Sequence, residues 1–179
     1  PVDYPECLCV SNFPDCLSGG YLQRSVRRGV LGDVRFSTAR VHVKPVAHKL
    51  WTGFVWNGTH DTESRRRVAQ HPDDTPVWIS DVVDFTAEFR VFVLHGEVVD
   101  VRRYKGYWGE VPNSTIVRRM VGDWRHSNEM PSACCIDVGV VGGETVLVEC
   151  NDGIAFGGYG LASGTYARMI AARWSELTS

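Results

Sequence analysis

The sequence predicts an α+β fold built on antiparallel strands. Two observations carry that reading. From residue 41 onward, β-branched and aromatic runs alternate with a period of two between Gly, Pro, Asn and Asp breaks, and two later segments switch to helical spacing. Helices inserted into a strand-rich order place the chain in the α+β class. Nothing repeats at a fixed period, and no low-complexity linker interrupts the chain.

The first 40 residues carry the weakest pattern. "PECLCVSNFPDCLSGG" reads as loop, and "YLQRSVRRGVLGDV" as a short helix bearing Arg24, Arg27 and Arg28. Strands are then predicted at "VHVKPV", "TGFVW" and "PVWISDVV", followed by a hairpin over "EFRVFVLHGEVVDVRRY" that turns at His95-Gly96. "VPNSTIVRRMVGDWRH" predicts a helix capped by Asn113 or Ser114, with Val117, Met120, Val121 and Trp124 on one face. "CCIDVGVV" and "ETVLVEC" form a second hairpin at Gly142-Gly143. "TYARMIAARWSEL" closes the chain as a helix with Tyr166, Met169, Ile170 and Leu177 facing inward.

With 179 residues, 44% hydrophobic and 22% charged, the chain is long enough for one sizeable core or two small lobes. A net charge of -2 argues against a dedicated nucleic-acid binder, while leaving local arginine clusters free to meet phosphate on a small molecule. No apolar run approaches the ~18 residues of a membrane span, and no signal-peptide pattern opens the sequence. The expected location is the cytoplasm. Of six cysteines, Cys7/Cys9 and Cys134/Cys135 lack the C-x-x-C spacing of a zinc knuckle, and Cys134, Cys135 and Cys150 sit in apolar strands where a reduced thiol packs as a small hydrophobe. The chain starts at Pro1 without Met, as a processed protein or a piece of a longer one does.

The stretch "TVLVECNDGIAFGGYG" runs from strand alternation into Glu149, Asn151 and Asp152 and then a glycine-rich loop. Asp137 lies five residues before Gly142 and Glu149 six after Gly143, so across a hairpin their oxygens converge, and Asn151 shares the face of Glu149. Two carboxylates and an amide suit Mg²⁺, which binds one or two protein carboxylates plus waters and substrate phosphates. The same residues also suit a solvated strand end closed by an Asn-Asp-Gly turn.

The cations complement those acids. Lys44 and Lys49 flank a loop that leads through Gly53 into the next strand, where a lysine can reach phosphate and backbone N–H groups can approach it. Arg90 alternates with Glu88, and Arg102, Arg103 and Lys105 crowd the end of the partner strand, three cations in four positions that repel unless an anion lies between them. The "RRR" at 65 to 67 reads as a solvated face. None of the six histidines falls in a metal-binding spacing, and no G-x-S-x-G, Walker A or G-x-G-x-x-G pattern is present.

Taken in order, "VHVKPVAHKLWTGFVW", "VWISDVVDFTAEFRVFVLHGEVVDVRRYKG" and "CCIDVGVVGGETVLVECNDGIAFGGYG" resemble the nucleotide-binding core of the ATP-grasp superfamily, with the nearest likeness to its short domain proteins. The resemblance implies two α+β lobes with antiparallel sheets gripping ATP between them: residues 41–87 as the small nucleotide-binding lobe, 88–179 as the larger lobe, and 1–40 as a remnant of an N-terminal lobe or a linker. It implies adenine against Val77 to Ser80, Lys44 on adenine and the α-phosphate, Lys49 and Ser80 beside the nucleotide, and Glu88 on the ribose. Lys105 is implied at the terminal phosphates, Asp137, Glu149 and Asn151 on Mg²⁺, and the loop from Gly153 to Gly160 beside the acceptor.

Two departures stand out. Many ligases of the superfamily have an arginine two residues before the metal-binding aspartate, where this chain has Cys135, which leaves Arg90 or Arg102 to supply that charge. Arg24 or Arg28 would have to replace the first phosphate-contacting lysine. The implied activity is ATP-dependent carboxylate-amine or carboxylate-thiol ligation through an acylphosphate. Its substrates would be a small-molecule or peptide carboxylate and an amine nucleophile, with Arg90, Arg102 and Lys105 as catalytic cations. Two alternatives stay open: an ATP-binding module without turnover, and a structural or partner-binding domain.

Overall fold

A computed structural model describes residues 10–47, 50–58 and 61–179. The chain divides into two compact units, Arg24–Val83 on one side and Asp84–Ser179 with the residues before Arg24 on the other.

The smaller unit is a four-stranded sheet in the order β1-β4-β2-β3, formed by β1 (Val26–Val30), β2 (Val41–Pro45), β3 (Phe54–Trp56) and β4 (Pro76–Ser80). β4 runs antiparallel to both β1 and β2. Alternation gives the sheet two different faces. Val43, Val77 and Ile79 point to a core shared with Leu31, Val34, Trp56 and Val68 from the flanking helices α2 (Leu31–Arg35) and α3 (Thr62–Val68) and from β3. Arg27 and Arg28 lie on β1, not on the short helix expected there; the helix starts only at Leu31. A strand wins because β1 pairs with β4 along its full length, which local helix propensity cannot match. Residues 24–40, set apart with the N-terminus in the sequence reading, pack in this unit. Arg65, Arg66 and Arg67 form the solvated face of α3.

The larger unit carries the sheet β6-β5-β7-β8, made of β5 (Ala87–Leu94), β6 (Glu97–Gly106), β7 (Ala133–Val141) and β8 (Glu144–Asp152). Both hairpin turns have positive φ at two successive residues, His95 (51°) and Gly96 (76°), then Gly142 (59°) and Gly143 (80°), the tight turns whose twist matches the strands. β5 and β7 are central and almost wholly buried, whereas β6 is an exposed edge. α4 (Ser114–His126) starts where Asn113 accepts the N–H groups of Thr115 and Ile116, and it buries Val117, Met120, Val121 and Trp124 as its spacing predicts.

α5 (Ser163–Thr178) packs Met169 against Phe92, Cys135 and Phe156, with Tyr166 and Ile170 beside them and Leu177 half-buried. Its anchor is a buried ion pair: Arg173 donates through Nε and Nη2 to Asp152 and through Nη1 to Glu176, which also accepts from the Ser132 N–H and hydroxyl. Asp152 therefore belongs to the docking of α5. Gly153 follows so closely on Ala133 that a Cβ would collide with its carbonyl oxygen.

Arg173→Met should cost about 3–5 kcal/mol, because it leaves the Asp152 carboxylate buried without its partner. Urea denaturation of the variant measures this, and Arg173→Met with Asp152→Leu should recover most of the loss. Burial raises the affinity of the Glu176 carboxyl for its proton, but the Ser132 and Arg173 hydrogen bonds outweigh it and hold the group below its ordinary value. Its contribution is present above the ordinary value of 4.5 and is lost as pH falls through the lower folded value. The gap between wild type and Glu176→Gln in urea midpoint should accordingly shrink as the pH is taken below 4.5.

Candidate functional site

Three strands of the larger sheet bring acids and a cation into one row. Arg90 on β5 stands opposite Asp137 on β7, which stands opposite Glu149 on β8. The one-residue mismatch counted from the Gly142-Gly143 turn is absorbed by a bulge after Asp137, which makes Asp137 and Glu149 direct cross-strand neighbours. Arg90 clasps Asp137 with two bonds, Nε to Oδ1 at 2.7 Å and Nη2 to Oδ2 at 2.6 Å, both residues being buried. The Asn151 amide donates to Asp137 Oδ2 and to Glu149 Oε1, each at 3.2 Å.

That amide supplies the test of whether a cation fits. Its NH₂ group lies between two carboxylates that repel each other, which is the place where positive charge is needed. With the amide turned over, Asn151 would present its oxygen beside those of Asp137 and Glu149, giving an all-oxygen donor set that suits Mg²⁺. Among the described residues no group of three His, Cys, Asp or Glu forms an alternative metal cluster.

A second bulge, between Glu88 and Phe89 where they face β6, re-aims the cations at the strand end. It lets Tyr104 and Lys105 both reach the buried Glu88, through the Tyr104 hydroxyl at 2.9 Å and Lys105 Nζ at 2.5 Å. The crowding expected of Arg102, Arg103 and Lys105 is thereby relieved without an outside anion. Arg102, next to Arg90 in register, pairs with Asp100 at 2.8 Å, and Arg103 donates to the Gly106 carbonyl.

Aromatic rings enclose Arg90. Tyr104 and Tyr159 stack at 4.9 Å, the guanidinium carbon lies 5.0 Å from the Tyr159 ring, and Arg90 Nη1 donates to the Gly157 carbonyl at 3.3 Å. Desolvation works against the Arg90 charge, but the bonds to Asp137 prevail and hold it protonated. Burial, followed by the charges of Asp137 and Glu88, pushes the Tyr104 phenol far up, so Tyr104 remains a donor to Glu88. Cys135 is packed against Phe92, Phe156 and Met169, and burial pushes its thiol up despite Arg90.

In the smaller unit, Lys44 and Ser80 sit on the sheet face turned away from the core. Lys44 and Arg28 flank Trp78 in register, with the Arg28 guanidinium 4.8 Å from the Trp78 ring, and buried Ser80 lies between Val26 and His42. Arg28 thus lies in the row of Lys44, one of two arginines weighed for a missing lysine. Lys49 lies outside the described residues, as do Cys7 and Cys9. The sequence reading missed Trp78 and Tyr159. Trp78 was accessible to it, since it alternates with Ser80 on one strand; Tyr159 sits in a loop with no period.

A family sequence model described as an "ATP-grasp domain", the second family of its clade, matches residues 21–169. The chain belongs to this ATP-grasp family. Solved structures agree on the fold of the ATP-grasp domain. ATP-grasp ligase PsnB, complexed with its minimal precursor, has a TM-score of 0.56 at 15% identity, over 90% of this chain and 60% of that one. D-alanine–D-alanine ligase from Bacillus anthracis, complexed with ATP, has a TM-score of 0.58 at 11% identity, over 88% and 61%. Macrocyclase MdnC, bound with precursor peptide MdnA from Microcystis aeruginosa, has a TM-score of 0.54 at 13% identity, over 94% and 58%. This ATP-grasp chain therefore spans about three-fifths of the length of those proteins. A search of curated protein sequences finds no significant match. No helix among the described residues is long and apolar enough to cross a membrane.

Native protein treated with a small alkylating reagent at neutral pH should leave Cys134, Cys135 and Cys150 unmodified, all three being buried with raised thiol values. Peptide mapping by mass spectrometry checks it; modification of Cys135 in folded protein would contradict its packing.

Proposed function

We propose that this ATP-grasp domain binds Mg-ATP and catalyses ATP-dependent ligation of a carboxylate to an amine, with a thiol as the other candidate nucleophile. The observation that carries the reading is the convergence of Asp137, Glu149 and Asn151 across the β7–β8 hairpin, with an amide donor between two carboxylates. When bound, Mg²⁺ would neutralise the β- and γ-phosphate oxygens. Asp137, Glu149 and Asn151 hold it. Lys44, Ser80 and Lys49 are the smaller unit's nucleotide contacts, joined by Arg28. Glu88 takes the ribose hydroxyls, and Lys105, whose side chain is 69% exposed, exchanges Glu88 for terminal phosphate.

In the reaction, a substrate carboxylate oxygen attacks the γ-phosphorus and the bond to the β-phosphate oxygen breaks, giving an acylphosphate and ADP. An amine then attacks the acyl carbon, phosphate leaves, and the amine loses a proton. The protein's share is alignment and charge neutralisation, which need no Ser/His or Cys/His pair. Lys105 and Arg102 are the cations we assign to the transferring phosphate. Arg90 we assign to holding Asp137 and the Gly157 carbonyl, since both of its bonds to Asp137 would have to break before it reached a phosphate. The peptide precursors of PsnB and MdnC make a peptide carboxylate one candidate substrate and a small acid the other.

The second reading, ATP binding without turnover, is favoured by buried Cys135 at the place of a ligase arginine and by the commitment of Arg90 to Asp137. ADP release across a screen of acids and amines separates the two readings.

Mg-ATP should raise the melting temperature of the wild type by several degrees, and Glu149→Gln should remove most of that shift while leaving the ligand-free melting temperature near its original value. A thermal shift assay at millimolar nucleotide, with and without Mg²⁺, measures both. An unshifted wild type sinks the proposal.

A further inference from the structure

A groove of about 1020 Å³ runs along the larger unit between β6 and α4, on the sheet face opposite Arg90 and Asp137. Phe89, Val101, Val117 and Val121 line it, and Val98 and Val101 remain 37% and 38% exposed on β6. Four strands about 4.8 Å apart make a face roughly twice the ~10 Å width of a helix, so α4 alone leaves part of it uncovered.

The face that α4 turns to the groove has the periodicity of a helix-packing seam. Ser114, Val117, Arg118, Val121, Gly122 and Arg125 recur at intervals of three and four along its 13 residues, a length of about 20 Å. Gly122 is in mid-helix, where glycine costs about 1 kcal/mol against alanine. A Cβ there would meet nothing within 4 Å, so the fold itself does not require the glycine. Its absence of side chain lowers the wall at the centre of the groove and admits a second backbone.

The charges select the occupant. Arg103 on one wall and Arg118 and Arg125 on the other face the groove, against Glu97 alone. Glu97 is spent on Arg125 at 3.2 Å, and Arg118 makes no hydrogen bond or ion pair with any described residue. Two arginines without a carboxylate partner among the described residues flank an apolar floor.

We infer that this groove docks an amphipathic helix of a partner protein, with an apolar stripe flanked by Asp and Glu. The helix lies beside α4, its stripe on Val98, Val101, Val117 and Val121 and its acids on Arg103 and Arg118. The inference does not depend on the nucleotide reading, because no residue in it belongs to the proposed ATP and Mg²⁺ contacts.

The test is a display library of 18-residue helices, about the span of the groove with one extra turn at either end, with a fixed apolar stripe and randomised flanks, selected against the full chain. The expected result is enrichment of Asp and Glu in the flanks, and loss of at least about tenfold in affinity for Arg118→Glu. Gly122→Leu should block the selected peptides while keeping or raising the melting temperature, since it fills open space and adds a better helix former. Its shift with Mg-ATP should match wild type, which separates failure here from failure of the nucleotide site. Selected peptides without acidic enrichment, or binding Gly122→Leu as well as wild type, overturn the inference. A wild-type dimer in sedimentation that Gly122→Leu dissolves also overturns it, by making a second copy of the chain the occupant.

Discussion

The polar face of the larger unit depends on the bidentate pair between Arg90 and Asp137. Burying two charges is costly unless both are paired and their remaining hydrogen-bonding capacity is used. Here adjacent central strands bring the pair into register, Asn151 takes a further lone pair of Asp137, and the Gly157 carbonyl takes a further N–H of Arg90. Shifting β5 against β7 by one residue would send Arg90 and Asp137 to opposite faces. The pair thus sets the register that makes Glu149 and Asn151 their neighbours.

The glycine-rich loop hangs between two buried arginines. Arg90 holds Gly157 near its middle, and Arg173 holds Asp152 just before its start. Between these points Tyr166 donates to the Phe156 carbonyl, and beyond them Tyr159, at φ 44°, lays its ring on Tyr104. Such a loop is held by its surroundings, not by its own propensities. This bears on the proposed acceptor side, because movement of Tyr159 would be felt by Arg90 and through it by Asp137.

Much of the site was legible in sequence because it lies on strands. Period-two alternation put Glu149 with Asn151 and Lys44 opposite its core neighbour Val43, and Gly142-Gly143 identified the hairpin that joins Asp137 to Glu149. Two bulges were not legible, and each mattered. The bulge beside Val138 corrected the count across the hairpin, and the bulge beside Glu88 separated Arg103 from Tyr104 and Lys105, dissolving an expected cluster of cations. β1 escaped for another reason: "SVRRGV" has no alternation of its own, and its extended form comes from pairing with β4.

The sequence by itself determined the α+β class, the two hairpins, the cap and buried face of α4, and the family to which the chain belongs, since each rests on local period, turn chemistry or linear motif order. Tertiary structure alone decided the partners of the charges. Asp152 could have served a metal or a turn, and only the approach of α5 gave it Arg173. Arg90 could have met phosphate or carboxylate, and only the β5–β7 register gave it Asp137. The physical reason is the same in both cases. A buried charge is satisfied by whatever residue the fold brings within hydrogen-bonding distance, here 21 and 47 positions away along the chain, and no local pattern encodes a contact at that range.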